Sequence, residues 1–192
     1  MAKLYYYYGQ MGSSKTANAL MTNFNYKELG QKPLLVKPSI DTRFGEKVVK
    51  SRIGIEHDCI MLHDLMKYSE EEIKKYDCII VDEVQFATKE QIDFLSDIVD
   101  FYDVPVVCYG LRTDFRNELF PGSERLIAIA DTIREVKTVC WCGKKATTVA
   151  RYNENGIVRE GAQVVLGAND SYVSLCRKHH KLGIIKNPNP KD

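Results

Sequence analysis

Short apolar runs recur along this chain, separated by polar or helical stretches. Cys78–Val81 is continuously apolar, a pattern that is typical of a strand buried on both faces of a sheet. Four other runs predict further strands: Leu4–Tyr8, Pro33–Lys37, Cys59–Leu62 and Val104–Tyr109. The polar stretch Asp41–Lys50 is predicted to be a loop.

Helical patterns lie between these runs. Lys15–Leu29 is predicted to be a helix that stops at Gly30, and Glu124–Ala130 is a second, shorter helical stretch. Capping boxes at Ser69–Glu72 and Thr88–Gln91 mark two more helix starts. The second box opens a helix whose apolar residues share one face: Ile92, Leu95 and Val99. This alternation predicts an α/β fold with a parallel sheet flanked by helices.

The pattern changes near Thr132. Ile133–Val139 and Ala146–Tyr152 are predicted to pair as strands around a Cys-Trp-Cys-Gly turn. Residues 153–171 are rich in Gly, Asn and Asp and predict a long loop, and Tyr172–Lys181 is predicted to be a short helix. We therefore expect three parts, namely an α/β domain over residues 1–131, a small unit over 132–184 and a disordered tail over 185–192.

Composition limits the class of protein. The chain has 192 residues, enough for one core and a small appended unit, and its formal net charge is +1. That charge gives no overall basic footprint for nucleic acid, and no apolar run is long enough to span a membrane. Residues 1–10 lack the features of a signal peptide, so we expect a cytoplasmic protein. In a reducing compartment the six cysteines are expected to be metal ligands or buried thiols.

A glycine-bearing loop follows the first predicted strand. Its sequence is Gly9-Gln10-Met11-Gly12-Ser13-Ser14-Lys15-Thr16, and a strand-loop-helix order is the layout of a phosphate-binding loop. Backbone N–H groups would hold phosphate oxygens, Lys15 would reach the outer phosphates, and the Thr16 hydroxyl would bind magnesium. The motif has glycine where this chain has Ser14. An ordinary helix start with Ser13 or Ser14 as N-cap is therefore the alternative interpretation.

Two carboxylates strengthen the phosphate-loop interpretation. Asp82 and Glu83 follow the buried run Cys78–Val81, and ligands of parallel sheets bind outside the carboxyl ends of the strands. Asp82 would hold magnesium directly or through water, and Glu83 would act as a base. Solvated acids at a strand end are the alternative, but the loop and the carboxylates together favour a nucleotide site.

A metal site is predicted in the C-terminal part. Cys140, Cys142, Cys176 and His179 provide three thiolates and an imidazole, which is the donor set of a closed structural zinc site. His180 competes with His179 for the fourth position. The single residue between the first two cysteines departs from the commoner spacing of two, and unrelated buried thiols are the alternative. The cysteines at positions 59, 78 and 108 are interpreted as such thiols, because all three lie in apolar runs.

In their order along the chain, these motifs resemble the type II, cytosolic-type thymidine kinases over nearly the full length. The motifs that carry the resemblance are Gly9–Thr16, Asp41-Thr42-Arg43, Asp82-Glu83-Val84-Gln85-Phe86, Gly110-Leu111-Arg112-Thr113-Asp114-Phe115 and the pairs Cys140/Cys142 and Cys176/His179. The Cys-x-Cys-Gly and Cys-Arg-Lys-His forms are similar to the bacterial branch. The fold implied is a P-loop NTPase-type parallel sheet with a small zinc-stapled domain. In that domain, residues 143–175 form a lasso whose two ends the zinc site would hold.

The resemblance implies a reaction, in which ATP phosphorylates the 5′-hydroxyl of thymidine to give dTMP and ADP. Glu83 matches the family's proton acceptor, and Arg43 matches a position near the transferring phosphoryl group. Magnesium would lie on Thr16 and Asp82. The implied ATP site comprises Gly9, Gln10, Met11, Gly12, Ser13, Ser14, Lys15, Thr16, Asp82, Glu83, Val84 and Gln85.

The resemblance also implies the acceptor site and the assembly. The thymidine site would comprise Met11, Leu111, Phe115, Phe120, Val164, Val165, Leu166, Gly167 and Tyr172, with the base read largely by lasso backbone. For Phe120, an ordinary role as an apolar anchor is at least as good an interpretation. The family is often a homotetramer inhibited by dTTP, so both properties are implied for this chain.

Two other functions are compatible with the same motifs. A P-loop ATPase could use the zinc unit and the cluster Lys178–Lys181 to bind nucleic acid, although the near-neutral net charge weighs against it. A non-catalytic nucleotide-binding protein would result if Ser14 disabled the loop. We expect a helical φ at Ser14, because it lies at the start of the helix, whereas a positive φ would cost roughly 1 kcal/mol or more.

Overall fold

Parallel strands form the centre of the fold in the computed structural model, which describes residues 1–38, 47–164 and 172–188. In chain order the strands are β1 (Leu4–Tyr8), β2 (Pro33–Lys37), β3 (Val48–Lys50), β4 (Glu56–Asp58), β5 (Ile60–Met61), β6 (Cys78–Val81), β7 (Val106–Gly110), β8 (Thr132–Glu135), β9 (Thr148–Asn153), β10 (Gly156–Val158) and β11 (Tyr172–Leu175). The helices are α1 (Lys15–Glu28), α2 (Leu62–Leu65), α3 (Glu70–Ile73), α4 (Lys89–Tyr102), α5 (Pro121–Ile129) and α6 (Arg177–Leu182), with a 3-10 turn at Val84–Phe86.

The main sheet has six strands in the order β5-β2-β6-β7-β1-β8, and all the pairings are parallel. The predicted α/β fold with a parallel sheet is therefore confirmed. Because the strands run in one direction, the loops that follow β1 and β6 emerge at the same edge. That edge carries the glycine-bearing loop and the carboxylates of Asp82 and Glu83.

Helices cover both faces of the sheet. On β6, Ile79 and Val81 belong to the apolar cluster that includes α4, whereas Cys78 and Ile80 belong to the cluster that includes α1. All four side chains are fully buried, which explains why this strand is continuously apolar. Burial of each large aliphatic side chain contributes about 1.5–3 kcal/mol, so the two clusters fix the strand end that carries the site.

Both predicted capping boxes are present. The Ser69 and Thr88 hydroxyls accept hydrogen bonds from the N–H groups of Glu72 and Gln91, and the Glu72 and Gln91 side chains accept in return from the N-cap N–H groups. Such caps satisfy helix N–H groups that have no partner within the helix. The starts of α3 and α4 were therefore fixed by local sequence alone.

A smaller antiparallel sheet lies in the C-terminal part, where β9 is flanked by β10 and β11. Its apolar cluster includes Cys140, Ala150, Leu175 and Cys176, with Trp141 packed against it. This core is small, and units with so small a core usually need an additional stabilising element such as a bound metal ion.

The predicted pairing of Ile133–Val139 with Ala146–Tyr152 is wrong. Strand β8 instead pairs in parallel with β1 at the edge of the main sheet, where it satisfies the backbone groups of β1 that β7 leaves open. Around the Cys-Trp-Cys-Gly turn, antiparallel pairing consists of an isolated bridge between Val139 and Lys145. The Cys140 N–H donates to the Lys144 carbonyl at 2.7 Å, and the Ala146 N–H donates to the Thr138 carbonyl at 2.9 Å. The division of the chain into domains remains a prediction.

Five other element predictions need correction. Val48–Lys50 is a strand paired with β4 rather than part of a loop, and Gly156–Val158 forms a hairpin with β9 inside the predicted long loop. Tyr172–Leu175 is a strand, since it pairs with β9, and the helix starts only after Cys176. Helix α5 starts at Pro121, whose fixed φ suits a first helical position. Leu62 begins the short helix α2 rather than ending a strand. Within the described ranges, no helix has the length and apolar character that a membrane span requires.

Candidate active site

The loop between β1 and α1 is folded around the side chain of Lys15. Its Nζ donates to the carbonyl of Gln10 at 2.9 Å and to Ser13 Oγ at 3.3 Å. The Ser13 N–H also donates to the Gln10 carbonyl, at 3.2 Å. Lys15 is 8% exposed, so the ammonium group lies inside the loop whose N–H groups a phosphate would meet.

The backbone at Ser14 is left-handed, so the expectation of a helical φ there is wrong. Ser14 has φ 61° and ψ 23°, and Gly12 has φ 73°. Ser14 is the N-cap of α1 by position, and its carbonyl accepts from the Asn18 N–H at 2.9 Å, but its side chain makes no capping hydrogen bond. The motif's glycine would adopt this conformation without steric strain, whereas serine does not.

Asp82 lies beside the loop at the end of β6. Its N–H donates to the carbonyl of Val36 at 2.9 Å, and its carboxyl accepts a hydrogen bond from the Thr16 hydroxyl. Burial, and secondly the charge of Glu83, raise the pKa of Asp82 to about 7, while Thr16 and Lys15 act in the opposite direction. A hydroxyl and a carboxylate side by side are hard oxygen ligands, so the pair fits a magnesium ion.

Glu83 follows in a left-handed conformation, with φ 52°, at the start of the 3-10 turn. Its Oε2 accepts a hydrogen bond from Gln85 Nε2 at 2.5 Å. Non-glycine residues adopt such backbone angles mainly where the surroundings hold them. The Glu83 side chain therefore extends from a constrained backbone, next to the buried side chain of Asp82.

One cavity of about 460 Å³ joins these groups to the residues predicted for the acceptor. One end is lined by residues 11–16 of the glycine-bearing loop together with Asp82 and Glu83. The remaining predicted acceptor residues in its lining are Met11, Leu111, Phe115, Phe120, Val164 and Tyr172. Arg43 and the lasso residues Val165, Leu166 and Gly167 lie outside the described residues. Three predicted site residues, Gly9, Gln10 and Val84, do not line the cavity.

The cavity also has a wall that sequence reasoning missed. It is formed by Lys37 and by the segment 48–53, which includes Arg52. Strand pairing of β3 with β4 shapes this wall, and such pairing between two short strands has no strong local signal.

Aromatic contacts lie at the end of the cavity where the acceptor residues are predicted. The Phe120 ring meets the Phe86 ring edge to face, with centroids 5.9 Å apart. The Arg151 guanidinium lies 4.2 Å from the centroid of the Phe115 ring, and it donates to the carbonyls of Ala162 and Glu160 at 3.1 and 3.2 Å. Arg151 thus ties the segment that leads into the lasso to the ring of Phe115.

Three hydrogen bonds join the C-terminal part of the described chain to the glycine-bearing loop. Ser174 Oγ donates to the carbonyl of Met11 at 2.6 Å, and Gln10 Nε2 donates to the carbonyl of Thr147 at 2.9 Å. The Thr138 hydroxyl donates more weakly to the Gly12 carbonyl, at 3.4 Å. Gln10 is 3% exposed, so its side chain supports the loop from behind.

Cys140, Cys142, Cys176 and His179 form a cluster whose ligand atoms all lie within 4.8 Å of one another. Nδ1 of His179 is 3.4 Å from the sulfurs of Cys140 and Cys176. This donor set is compatible with a structural zinc site. His180 points elsewhere, with Nε2 3.2 Å from the carbonyl oxygen of Phe115, so His179 occupies the fourth position. The Trp141 ring stacks on the His179 ring at 4.1 Å between centroids.

The remaining cysteines are buried thiols, as predicted. Cys59, Cys78 and Cys108 form no disulfide, and all three are buried in the apolar clusters of the main sheet. Burial raises the pKa of Cys78 to about 11, which keeps this thiol protonated at neutral pH.

Known proteins resemble this chain over nearly its whole length. The family model described as "Thymidine kinase" matches residues 2–180. A thymidine kinase from Rhodopirellula baltica is 47% identical over 193 residues, covering 97% of this chain and 91% of that protein. One from Haemophilus influenzae is 47% identical over 187 residues, covering 94% of this chain and 97% of that protein. One from Vibrio parahaemolyticus is 45% identical over 192 residues, covering 97% of this chain and 100% of that protein.

Proposed function

This chain belongs to the thymidine kinase family, and on that premise we propose how its residues transfer the γ-phosphoryl group of ATP to the 5′-hydroxyl of thymidine. The protein is a phosphotransferase whose substrates are ATP and thymidine. One observation supports the residue assignment most strongly. Residues 11–16 of the glycine-bearing loop, the Asp82-Glu83 pair and the aromatic residues proposed for the acceptor line a single cavity.

The phosphates of ATP are proposed to bind the loop Gly9–Thr16. Backbone N–H groups would hold the phosphate oxygens, and the buried ammonium group of Lys15 would compensate their charge. Thr16 and Asp82 would hold a magnesium ion, which when bound neutralises charge on the phosphates. Val84 and Gln85 are assigned to the same proposed ATP region; Gln85 borders the cavity, whereas Val84 is fully buried.

Glu83 is the proposed general base. It would accept the proton of the 5′-hydroxyl as that oxygen attacks the γ-phosphorus, and the bond from the γ-phosphorus to the ADP oxygen would break. A carboxylate suffices because phosphoryl transfer depends mostly on positioning and on charge stabilisation. The guanidinium of Arg43 is proposed to stabilise charge on the transferring group, as the family motif implies.

Thymidine is proposed to occupy the aromatic end of the cavity. Phe115, Phe120 and Tyr172 would pack around the nucleoside, and Met11 and Leu111 would complete the apolar wall. The lasso segment Val164–Gly167 is proposed to read the thymine base with its backbone. This arrangement would exclude water, which would otherwise compete with the 5′-hydroxyl for the phosphoryl group.

The cysteine and histidine cluster is proposed to hold a structural zinc ion. A bound zinc would fix the ends of the lasso unit, whose own apolar core is small. The unit over residues 132–184 would then act as a substrate lid on the α/β domain of residues 1–131, with 185–192 as a tail. A homotetramer, inhibition by dTTP and a cytoplasmic location complete the proposal, and these three rest on the family resemblance.

The test is a phosphorylation assay with ATP, magnesium and each deoxynucleoside in turn. Thymidine is expected to be converted to dTMP, and Glu83→Gln is expected to lose at least about 100-fold in turnover. The matched control is Glu90→Gln, the same change at an exposed acid in the first turn of α4. No conversion of thymidine, or full turnover by Glu83→Gln, would overturn the proposed mechanism.

A further inference from the structure

A buried amide links Glu83 to the wall of the acceptor cavity. Gln85 is 1% exposed, and its Nε2 donates to Glu83 Oε2 at 2.5 Å. Its Oε1 accepts from the Leu111 N–H at 2.9 Å. Both ends of this one side chain are therefore used inside the protein, one on the carboxylate and one on the peptide that follows β7.

The peptide at Leu111 is held from its other side as well. The carbonyl of Leu111 accepts a hydrogen bond from the Ser123 hydroxyl at 2.6 Å and one from the Tyr6 hydroxyl at 2.8 Å. Tyr6 and Ser123 are fully buried, and burial raises the pKa of the Tyr6 hydroxyl, which keeps it a donor. The Leu111 peptide is thus held in place by hydrogen bonds from three elements, namely β1, the 3-10 turn and α5.

The close approach of Gln85 to β7 depends on Gly110. A Cβ atom at Gly110 would lie 2.7 Å from Gln85 Oε1 and 2.9 Å from Val84 Cγ1. Such distances are shorter than real contacts of a Cβ atom allow. Glycine at this position therefore gives the amide room to reach both Glu83 and Leu111.

We propose that Gln85 is a positioning residue that sets the orientation of the Glu83 carboxylate relative to the acceptor wall. This inference rests on the proposed role of Glu83 as the base. A carboxylate can rotate about its last side-chain bond, and the donor on Oε2 restricts that rotation. Leu111 lines the cavity proposed for the acceptor. The Gln85 amide therefore fixes the position of the Glu83 carboxylate relative to the site of the 5′-hydroxyl.

The role separates positioning from binding. Gln85 borders the cavity but is 1% exposed, and both ends of its amide are bonded to protein groups, so its loss should lower kcat much more than it changes the KM values for ATP and thymidine. Removing a hydrogen bond to a charged group, with the misalignment that follows, is expected to lower kcat roughly 10–100-fold.

The experiment is a kinetic cycle of Gln85→Met and Glu83→Gln, singly and together. Gln85→Met is expected to lower kcat roughly 10–100-fold with both KM values within about threefold of the wild type. In the Glu83→Gln background the same change is expected to alter kcat less than about threefold, because the group it orients is already lost. The matched control is Gln91→Met at the cap of α4, which should leave kcat and KM unchanged.

A second variant guards against a failure to fold. Gln85→Glu keeps an oxygen opposite the Leu111 N–H and loses the donor to Glu83, so at pH 8 it should show the same loss of kcat. If both Gln85 variants retain kcat while Glu83→Gln loses it, positioning by Gln85 is refuted and Glu83 stands as the base. An equal fold loss in both backgrounds also refutes it, since that indicates a general structural role. If Glu83→Gln retains full turnover, the role of Glu83 is wrong and this inference falls with it.

Discussion

Replacing Ser14 by glycine is expected to stabilise the protein. Ser14 has φ 61°, and a left-handed conformation costs a non-glycine residue roughly 1–2 kcal/mol. Glycine also has more conformational freedom in the unfolded chain, which lowers the free energy of unfolding by about 0.5–1 kcal/mol and offsets part of this gain. The Ser14 side chain is exposed and makes no capping hydrogen bond, so little else is lost. The net gain in the free energy of unfolding is therefore about 0.5–1 kcal/mol.

The assay is thermal unfolding without nucleotide at a fixed protein concentration. A gain of this size should raise the Tm of Ser14→Gly by about 1–4 °C for a chain of this length. Ser14→Ala keeps the left-handed strain and should shift the Tm by less than about 1 °C. Gly12→Ala is the reciprocal control, because Gly12 has φ 73° with no atom within 4 Å of an added Cβ. It should lower the Tm by a similar amount.

One pattern of results would refute the reasoning. If Gly12→Ala lowers the Tm but Ser14→Gly leaves it unchanged or lowers it, then the serine is not strained at this position. In that case the hydroxyl of Ser14 would have to stabilise the loop by an amount that offsets the left-handed backbone.

Two further predictions concern the acceptor end and the metal cluster. Arg151→Met removes the guanidinium from the Phe115 ring and from the carbonyl of Ala162. Steady-state kinetics should therefore show a KM for thymidine raised roughly tenfold and a KM for ATP within about twofold of the wild type. Equal effects on the two KM values would contradict this assignment. Elemental analysis should find about one zinc per chain, since the cluster provides one closed set of four ligands. Cys176→Ala should lose that zinc and lower the Tm, whereas Cys59→Ala should retain it, and loss of zinc from both would argue against the ligand set.

Local sequence signals predicted the elements that depend on local forces. The capping boxes at Ser69 and Thr88 satisfy N–H groups within their own helices, so they needed no information from the rest of the chain. The buried strand Cys78–Val81 was equally readable, because burial on both faces leaves no polar position.

Strand pairing between segments that are distant along the chain could not be predicted from the sequence. Residues 133–135 carry a strand pattern that fits a hairpin as well as a parallel edge, and only the open side of β1 decides between them. Tyr172–Leu175 is similarly decided by its partner β9. The link between Gln85 and Leu111 joins residues 26 apart, and the unusual φ at Ser14 depends on how the whole loop closes.

The glycine-bearing loop, the carboxylates and the metal cluster were visible in sequence because each is a short motif with a fixed spacing. His179 and His180 could not be separated that way, since both fit the spacing. The first turn of α6 turns His179 toward the sulfurs and His180 toward the Phe115 carbonyl.

The central claim is that Glu83 takes the proton of the 5′-hydroxyl, and a single-turnover experiment tests it most directly. Enzyme in excess, with saturating ATP, magnesium and labelled thymidine, isolates the transfer step from product release. The account predicts that Glu83→Gln binds thymidine as the wild type does but forms dTMP at least about 100-fold more slowly. A single-turnover rate within about threefold of the wild type would contradict it.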